Sequence, residues 1–283
     1  MHTSPPGGFQ EAPIDSVRQY WNSRPCNIRH SPKPVGTKEY FDEVEARKYF
    51  VEPHIPGFAD FARWRGRRVL EIGCGIGTDT VNFARGGANV TAVDLTEKSL
   101  EVAKQRAKIF GLEDRIRFFQ ANAEELSSYV PVEPYDLVYS FGVVHHTPHP
   151  ERVIEQILQY VKPGGTVKIM VYNRWSWKVL WILFVYGKGR FWRWERLIAE
   201  ASEAQTGCPV TYSYSRTAGR KLLEEHGLQV TECFVDHIFS FRISDYVEYR
   251  YKTVWYFRWL PRSWFRALER LVGWHLCLTA VAK

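Results

Sequence analysis

Val69-Leu70-Glu71-Ile72-Gly73-Cys74-Gly75-Ile76-Gly77-Thr78-Asp79 is an apolar run that stops abruptly in three glycines and opens into a helical pattern. A strand that ends this way lets a ligand approach backbone N–H groups with no Cβ between them. The spacing of the glycines narrows the choice of ligand. A dinucleotide fingerprint GxGxxG starting at Gly73 needs its third glycine at position 78, which is Thr78. Gly77 makes the pattern GxGxG, with less provision for a pyrophosphate on the helix N-terminus. Asp94 closes the next apolar run, 17 residues after Gly77. A carboxylate there can accept from the vicinal hydroxyls of a ribose, whichever nucleoside carries it. It can also serve as the acid ahead of a helix whose N-cap is Thr96.

Working outward, short apolar runs bounded by turn residues recur as strands over Arg68–Gly73, Asn89–Leu95, Ile116–Ala121, Tyr135–Phe141 and Thr166–Tyr172. Helical patterns lie between them at Asp79–Arg85, Glu97–Phe110 and Glu151–Val161, the last stopped by Lys162-Pro163-Gly164-Gly165. Buried strands alternating with helices imply a parallel sheet covered on both faces. After Asn173 the rhythm breaks into an apolar aromatic segment, Trp175–Tyr186, and a basic aromatic one, Arg190–Arg196. A helix (Arg216–His226), a strand (Leu228–Val235), a second aromatic insertion (Arg242–Gly273) and a last strand (His275–Ala282) complete the chain. Met1–Pro13 reads as a loose tail and Asp15–Phe61 as a helical extension.

With 283 residues the chain can bury a large core without staples. Its five cysteines are scattered with no CxxC pair, which excludes a disulfide framework and a structural zinc site. No secretory signal is visible and no apolar run is long enough to span a bilayer, so a reduced, cytoplasmic protein is expected. Net charge is +7, and nine of the 11 tryptophans fall between Trp175 and Trp274. The plainer account of that region is a helical lid with aromatics facing its own core. The sharper one is a surface for an apolar ligand, an anionic ligand or a membrane face.

The quoted segments resemble the class I S-adenosylmethionine-dependent methyltransferases. Glu71–Gly77 is similar to their first motif, Val93-Asp94-Leu95 to the second, Ala121–Leu126 to the third, and Tyr135–Val138 with Ser140–Val143 to the fourth. Ile157–Gly165 is similar to their Leu-x-x-x-Leu-Lys-Pro-Gly-Gly segment. The resemblance implies a three-layer α/β/α Rossmann-like methyltransferase fold with a seven-stranded sheet, its last strand antiparallel, here carrying helical aromatic cap insertions. The implied cofactor is S-adenosyl-L-methionine, leaving as S-adenosyl-L-homocysteine. Glu71, Gly73, Gly75 and Gly77 would line its methionine and ribose portions, Asp94 would hold the ribose hydroxyls and Leu95 would pack on the adenine. Asn122 with Ala123 would meet the adenine edge, where the family often has Asp, and Phe141 would border the sulfonium. The expected organisation is one catalytic domain: an N-terminal extension and lid (1–61), a cofactor-binding core (62–173), an aromatic and basic insertion with a helix (174–227), and a strand pair with an inserted helical cap (228–283).

Methyl transfer from a sulfonium is a direct displacement that depends mostly on alignment, with a general base useful for some acceptors. His145 and His146, in the loop Val143–Pro150, and Tyr172 at the end of its strand are the candidate catalytic groups. His145, His146 and His149 also raise the question of a metal, but no nearby Asp or Glu pair completes a ligand set, so no metal is expected. Tyr20, Arg24, Tyr40, Asn173, Tyr212 and Tyr214 are candidate acceptor contacts. The expected function is transfer to an oxygen or nitrogen of a small, partly apolar organic acceptor. Two alternatives are kept: a lipid or quinone acceptor with peripheral membrane contact, and a nucleic acid. The last is disfavoured, because the fourth motif lacks an Asn/Asp-Pro-Pro-Tyr sequence and no RNA-binding module is appended. The oligomeric state is left open.

Overall fold

The computed structural model describes residues 9–186, 196–200 and 208–283; the expected features at 1–8 and 190–195 lie outside them. Seven strands form one sheet: β1 (Arg68–Ile72), β2 (Asn89–Asp94), β3 (Ile116–Gln120), β4 (Tyr135–Phe141), β5 (Val161–Tyr172), β6 (Leu228–Asp236) and β7 (His275–Ala282). Their order is β3-β2-β1-β4-β5-β7-β6. β1 to β5 run parallel, and β7 is antiparallel to both β5 and β6. Each expected strand is present within a residue or two except at one point. β5 starts at Val161, opposite Tyr135, so the Lys162–Gly165 turn is an irregularity within the strand rather than a loop before it.

Along β1 the side chains alternate between two cores. Leu70 and Ile72 pack with α6 (Pro150–Tyr160) and α8 (Arg216–Glu224), through Val153, Ile154, Ile157 and Leu223. Val69 packs on the other face with α4 (Thr78–Arg85) and α5 (Glu97–Ile109), through Val81, Phe83 and Leu100. Because both faces are covered, central strands read as unbroken apolar runs, each buried aliphatic side chain contributing roughly 1.5–3 kcal/mol.

The N-terminal extension is α1 (Ile14–Ser23), α2 (Lys38–Val51) and α3 (Ile55–Ala59). Thr37 caps α2, its hydroxyl accepting from the Tyr40 N–H. Tyr40, Phe41 and Val44 of α2 make a small core with Ile76 and Val102 over the glycine loop. The cap is α7 (Trp177–Tyr186) with short helices over Ile243–Tyr246, Trp255–Arg258 and Arg262–Val272. Its aromatics do not all turn inward. Trp177 and Trp181 pack on Tyr256, whereas Phe184 is 87% exposed and Trp259 83%. Among the described residues no helix is long and apolar enough to cross a membrane.

Candidate active site

A cavity of about 930 Å³ opens where the carboxyl ends of β1, β2, β4 and β5 meet the cap. The parallel strands bring their C-terminal loops to one rim, and β7 delivers its first residue there because it runs the other way. His275 therefore pairs with Tyr172 on one side and with Asp236 on the other.

The glycine loop makes the floor. Gly73, Gly75 and Gly77 all have positive φ (80°, 52° and 76°), the left-handed region that glycine enters without strain. A Cβ on Gly73 would sit 2.0 Å from Val143 Cγ2, and one on Gly77 3.0 Å from Ala103 Cβ. At Gly75 no atom lies within 4 Å of that point, so the open space belongs to the cavity. Asp94 ties the loop down. Its Oδ2 accepts from the Gly75 N–H (2.8 Å), and its Oδ1 from the Thr96 N–H (2.9 Å) and hydroxyl (2.8 Å). Burial pushes this carboxyl up, and the bonds from Thr96 and Gly75 oppose it. Three of about four lone-pair positions are thereby taken. Asn122 is also engaged locally, its amide oxygen accepting from the Glu124 N–H at 3.1 Å as a helical cap.

Of the cofactor candidates, Gly73, Gly75, Asp94, Leu95, Asn122, Ala123 and Phe141 line the cavity. Two do not. Gly77 is spent on starting α4 against α5. Glu71 is buried beneath the floor, where its Oε2 accepts from the Thr80 hydroxyl at 2.5 Å. Burial and the neighbouring Asp79 charge push its carboxyl up to about 8. Asp79 itself gathers Lys48 Nζ (2.6 Å) and the hydroxyls of Tyr49 (2.9 Å) and Tyr139 (3.0 Å).

The adjacent histidines part ways. His146 lines the cavity, and its Nδ1 lies 2.8 Å from the Val210 carbonyl. A carbonyl can only accept, so Nδ1 carries the proton and Nε2 keeps its lone pair. His145 is fully buried behind it, away from the cavity wall. Among the described residues both its ring nitrogens lack a hydrogen-bond partner, and burial drives its pKa well below the ordinary value. Tyr172 reaches the cavity, stacked on Trp274 at 4.0 Å between ring centroids.

None of the six expected acceptor contacts lines the cavity. Tyr40 is core, its hydroxyl donating to the Ile28 carbonyl. Tyr212 is core as well, donating to the Pro148 carbonyl. Asn173 fastens the end of β5 by donating to the Gly273 carbonyl, and Tyr214 bridges beside it. Arg24 lies over the Tyr20 ring, a pair held within the N-terminal extension.

Other groups reach the cavity unannounced by any local motif: Trp21 from α1, Lys48 from α2, Lys178 from α7, and Glu52, His237 and His275. Trp21 meets His146 edge-on at 5.3 Å. Only His275 had a readable signal, since an antiparallel last strand places it opposite Tyr172.

Comparison with known proteins agrees with this geometry. A family described as "Methyltransferase domain" matches residues 69–165, the stretch from β1 to the turn inside β5. That segment is a class I methyltransferase domain. Ubiquinone biosynthesis O-methyltransferases of Aeromonas salmonicida and Paracidovorax citrulli are 39% and 38% identical to the chain over 109 and 125 residues. These alignments cover 38% and 44% of this chain and 44% and 52% of the relatives, so the chain spans about half the length of the relatives it matches. Geranyl diphosphate C-methyltransferase of Streptomyces coelicolor has a similar fold (TM-score 0.61, 15% identity, 99% of this chain and 100% of that one). Magnesium protoporphyrin IX methyltransferase of Synechocystis does too (TM-score 0.60, 17% identity, 96% and 100%). The matched segment ends at Gly165, and both cap insertions lie beyond it.

Proposed function

We propose that this chain is an S-adenosylmethionine-dependent methyltransferase acting on an oxygen or nitrogen of a small, partly apolar organic acceptor. The observation that carries the reading is the floor of the cavity, where a Cβ-free loop is pinned by a carboxylate placed to meet a ribose. The residues fit that ligand. Space above Gly75 admits the sugar and amino-acid portion, and Asp94 offers one lone pair to a hydroxyl. A second hydroxyl would take the place of the Gly75 N–H. Leu95 and the α1 side chains Ile14 and Val17 give the base an apolar seat.

The chemistry supplied by the donor, when bound, is an activated methyl on a sulfonium, whose departing thioether needs no acid. The chain's own part is alignment and exclusion of water. Phe141, Trp21, Tyr172 and the cap aromatics dry the acceptor side. His146 lines the cavity with its Nδ1–H anchored on Val210, and in this reading it is the base that removes the acceptor's proton.

One observation favours a lipid or quinone acceptor drawn from a membrane surface. Trp181, Val185, Ile243 and Val247 line the cavity and are also partly open to solvent, so the apolar interior is continuous with an apolar rim.

Calorimetry tests the core of the reading. S-adenosylhomocysteine should bind the wild type, and Asp94→Ala should weaken it about 10–150-fold, the worth of hydrogen bonds to a charged group. No heat with donor or product, together with binding of a nicotinamide dinucleotide, overturns it. Transfer of labelled methyl onto a metabolite extract then identifies the acceptor.

A further inference from the structure

We propose that Glu52, His237 and His275 form a binding site for a divalent first-row transition metal ion on the acceptor side of the cavity. They come from three distant segments: the residue after α2, the residue after β6 and the first residue of β7. One donor atom from each lies within 4.8 Å of the other two, and all three residues line the cavity. His275 Nε2 is 3.6 Å from Glu52 Oε1. His237 is buried, and among the described residues its Nδ1 has no hydrogen-bond partner. A buried ring nitrogen without a partner, on a residue whose donor atom lies within 4.8 Å of a carboxylate and a second imidazole, calls for a ligand.

The surroundings orient these donors as a metal site requires. His54 Nε2 lies 3.1 Å from His275 Nδ1, which turns the Nε2 of His275 toward Glu52. Ligating histidines commonly have their second nitrogen engaged in this way. Of the nearby cations, Lys48 is paired with Asp79 and Lys178 sits over the Trp274 ring at 4.4 Å. Glu52 is the acid beside these histidines that lines the cavity, while Asp236, next to His237, is paired with Arg266.

Two imidazoles and one carboxylate suit zinc, manganese, iron or cobalt better than calcium or magnesium, which favour oxygen donors. Donors about 2.0–2.2 Å from an ion sit roughly 3–3.5 Å apart, so binding would draw these three together by about an ångström. Three protein donors leave coordination positions open toward the cavity. Phe141, one ring away from His275 at 5.5 Å, separates the site from the floor of the glycine loop. An acceptor oxygen or nitrogen held on the ion would be fixed and made more acidic there. That role rests on the methyltransferase reading; the binding itself does not.

The full chain, stripped with a chelator, is titrated without donor by Co²⁺ in the visible spectrum and by Zn²⁺ in the calorimeter. The expected result is saturation near one ion per chain with a cobalt d–d band. Glu52→Gln and His275→Ala should weaken binding more than about 100-fold, and His54→Phe about 10–100-fold. His226→Ala, on the far surface, should change nothing. Glu52→Gln is isosteric, and an unaltered affinity for S-adenosylhomocysteine certifies the variants as folded. No saturable uptake of either ion by the wild type overturns the proposal, as does wild-type affinity in both Glu52→Gln and His275→Ala. Loss of S-adenosylhomocysteine binding with an intact metal titration would instead strike the methyltransferase reading alone.

Discussion

His145 and His146 occupy one 3₁₀ turn, Val144–His146, and consecutive side chains of such a turn diverge. One ring is sealed in the core and the other faces the cavity, a distinction that two identical adjacent letters cannot carry. If His146 is the base, replacing it with asparagine should lower kcat about 10²–10⁴-fold toward the acceptor found by the labelled-methyl screen. The affinity for S-adenosylhomocysteine should stay within a factor of two or three. Equal losses in kcat and in cofactor affinity would mean that His146 builds the pocket instead. The glycine floor of the cavity was readable at the level of single residues because its demands are local: positive φ at Gly73 and Gly75, and a carboxylate at the end of the adjacent strand. Glu71 was misplaced for the opposite reason. Its neighbours Thr80 and Asp79 share the motif, but only the inward pleat of β1 shows that they enclose it.

At the scale of elements, the strands were legible almost to the residue, since buried parallel strands are apolar throughout and end in turn-forming residues. The cap was not. Its aromatics carry no clean period, and its course follows long-range contacts such as Trp177 on Tyr256 at 6.0 Å. One such contact joins the N-terminal extension to the cap. Arg47 of α2 lies 3.9 Å over the Tyr246 ring and donates to the Tyr246 carbonyl, while the Tyr246 hydroxyl is 3.1 Å from His30 Nε2. Burial, aided by the charges of Arg47 and Lys48, lowers the His30 pKa to about 3. The unfolded chain titrates this group near 6.5, so between about 6.5 and 3 it binds the proton that the fold refuses. His30 therefore imposes no cost above pH 6.5, and the fold loses stability progressively as pH falls below it. At pH 5 its share is on the order of 1–2 kcal/mol, trimmed by the partial exposure of the ring. His54, lowered to about 4, adds to the same slope. Denaturant titrations at pH 7 and pH 5 should show a smaller acid loss for His30→Gln than for the wild type. Identical losses would remove His30 as a source.

At the scale of the whole molecule, the strand ends carry a polar floor, and the cap carries exposed apolar groups: Trp181, Val185, Ile243 and Val247 at the cavity, and Trp255, Trp259 and Phe184 elsewhere on the cap. Exposed tryptophans are expensive in water, and the chain adds a net charge of +7 with Lys252, Arg258 and Arg262 close to them in sequence. Interfacial binding accounts for both features at once, because the rings would enter the headgroup region while the cations meet anionic lipid. The cavity would then open toward the bilayer, and an acceptor with a long apolar tail could enter without crossing water. Flotation with vesicles containing phosphatidylglycerol should carry the wild-type chain upward at low salt and progressively less as salt screens the charges. The double substitution Trp255→Ser and Trp259→Ser should leave most of the protein at the bottom, with S-adenosylhomocysteine affinity unchanged. If the wild type remains at the bottom with anionic and neutral vesicles alike, the rim does not serve a membrane. The acceptor would then be a compound that reaches the cavity through water.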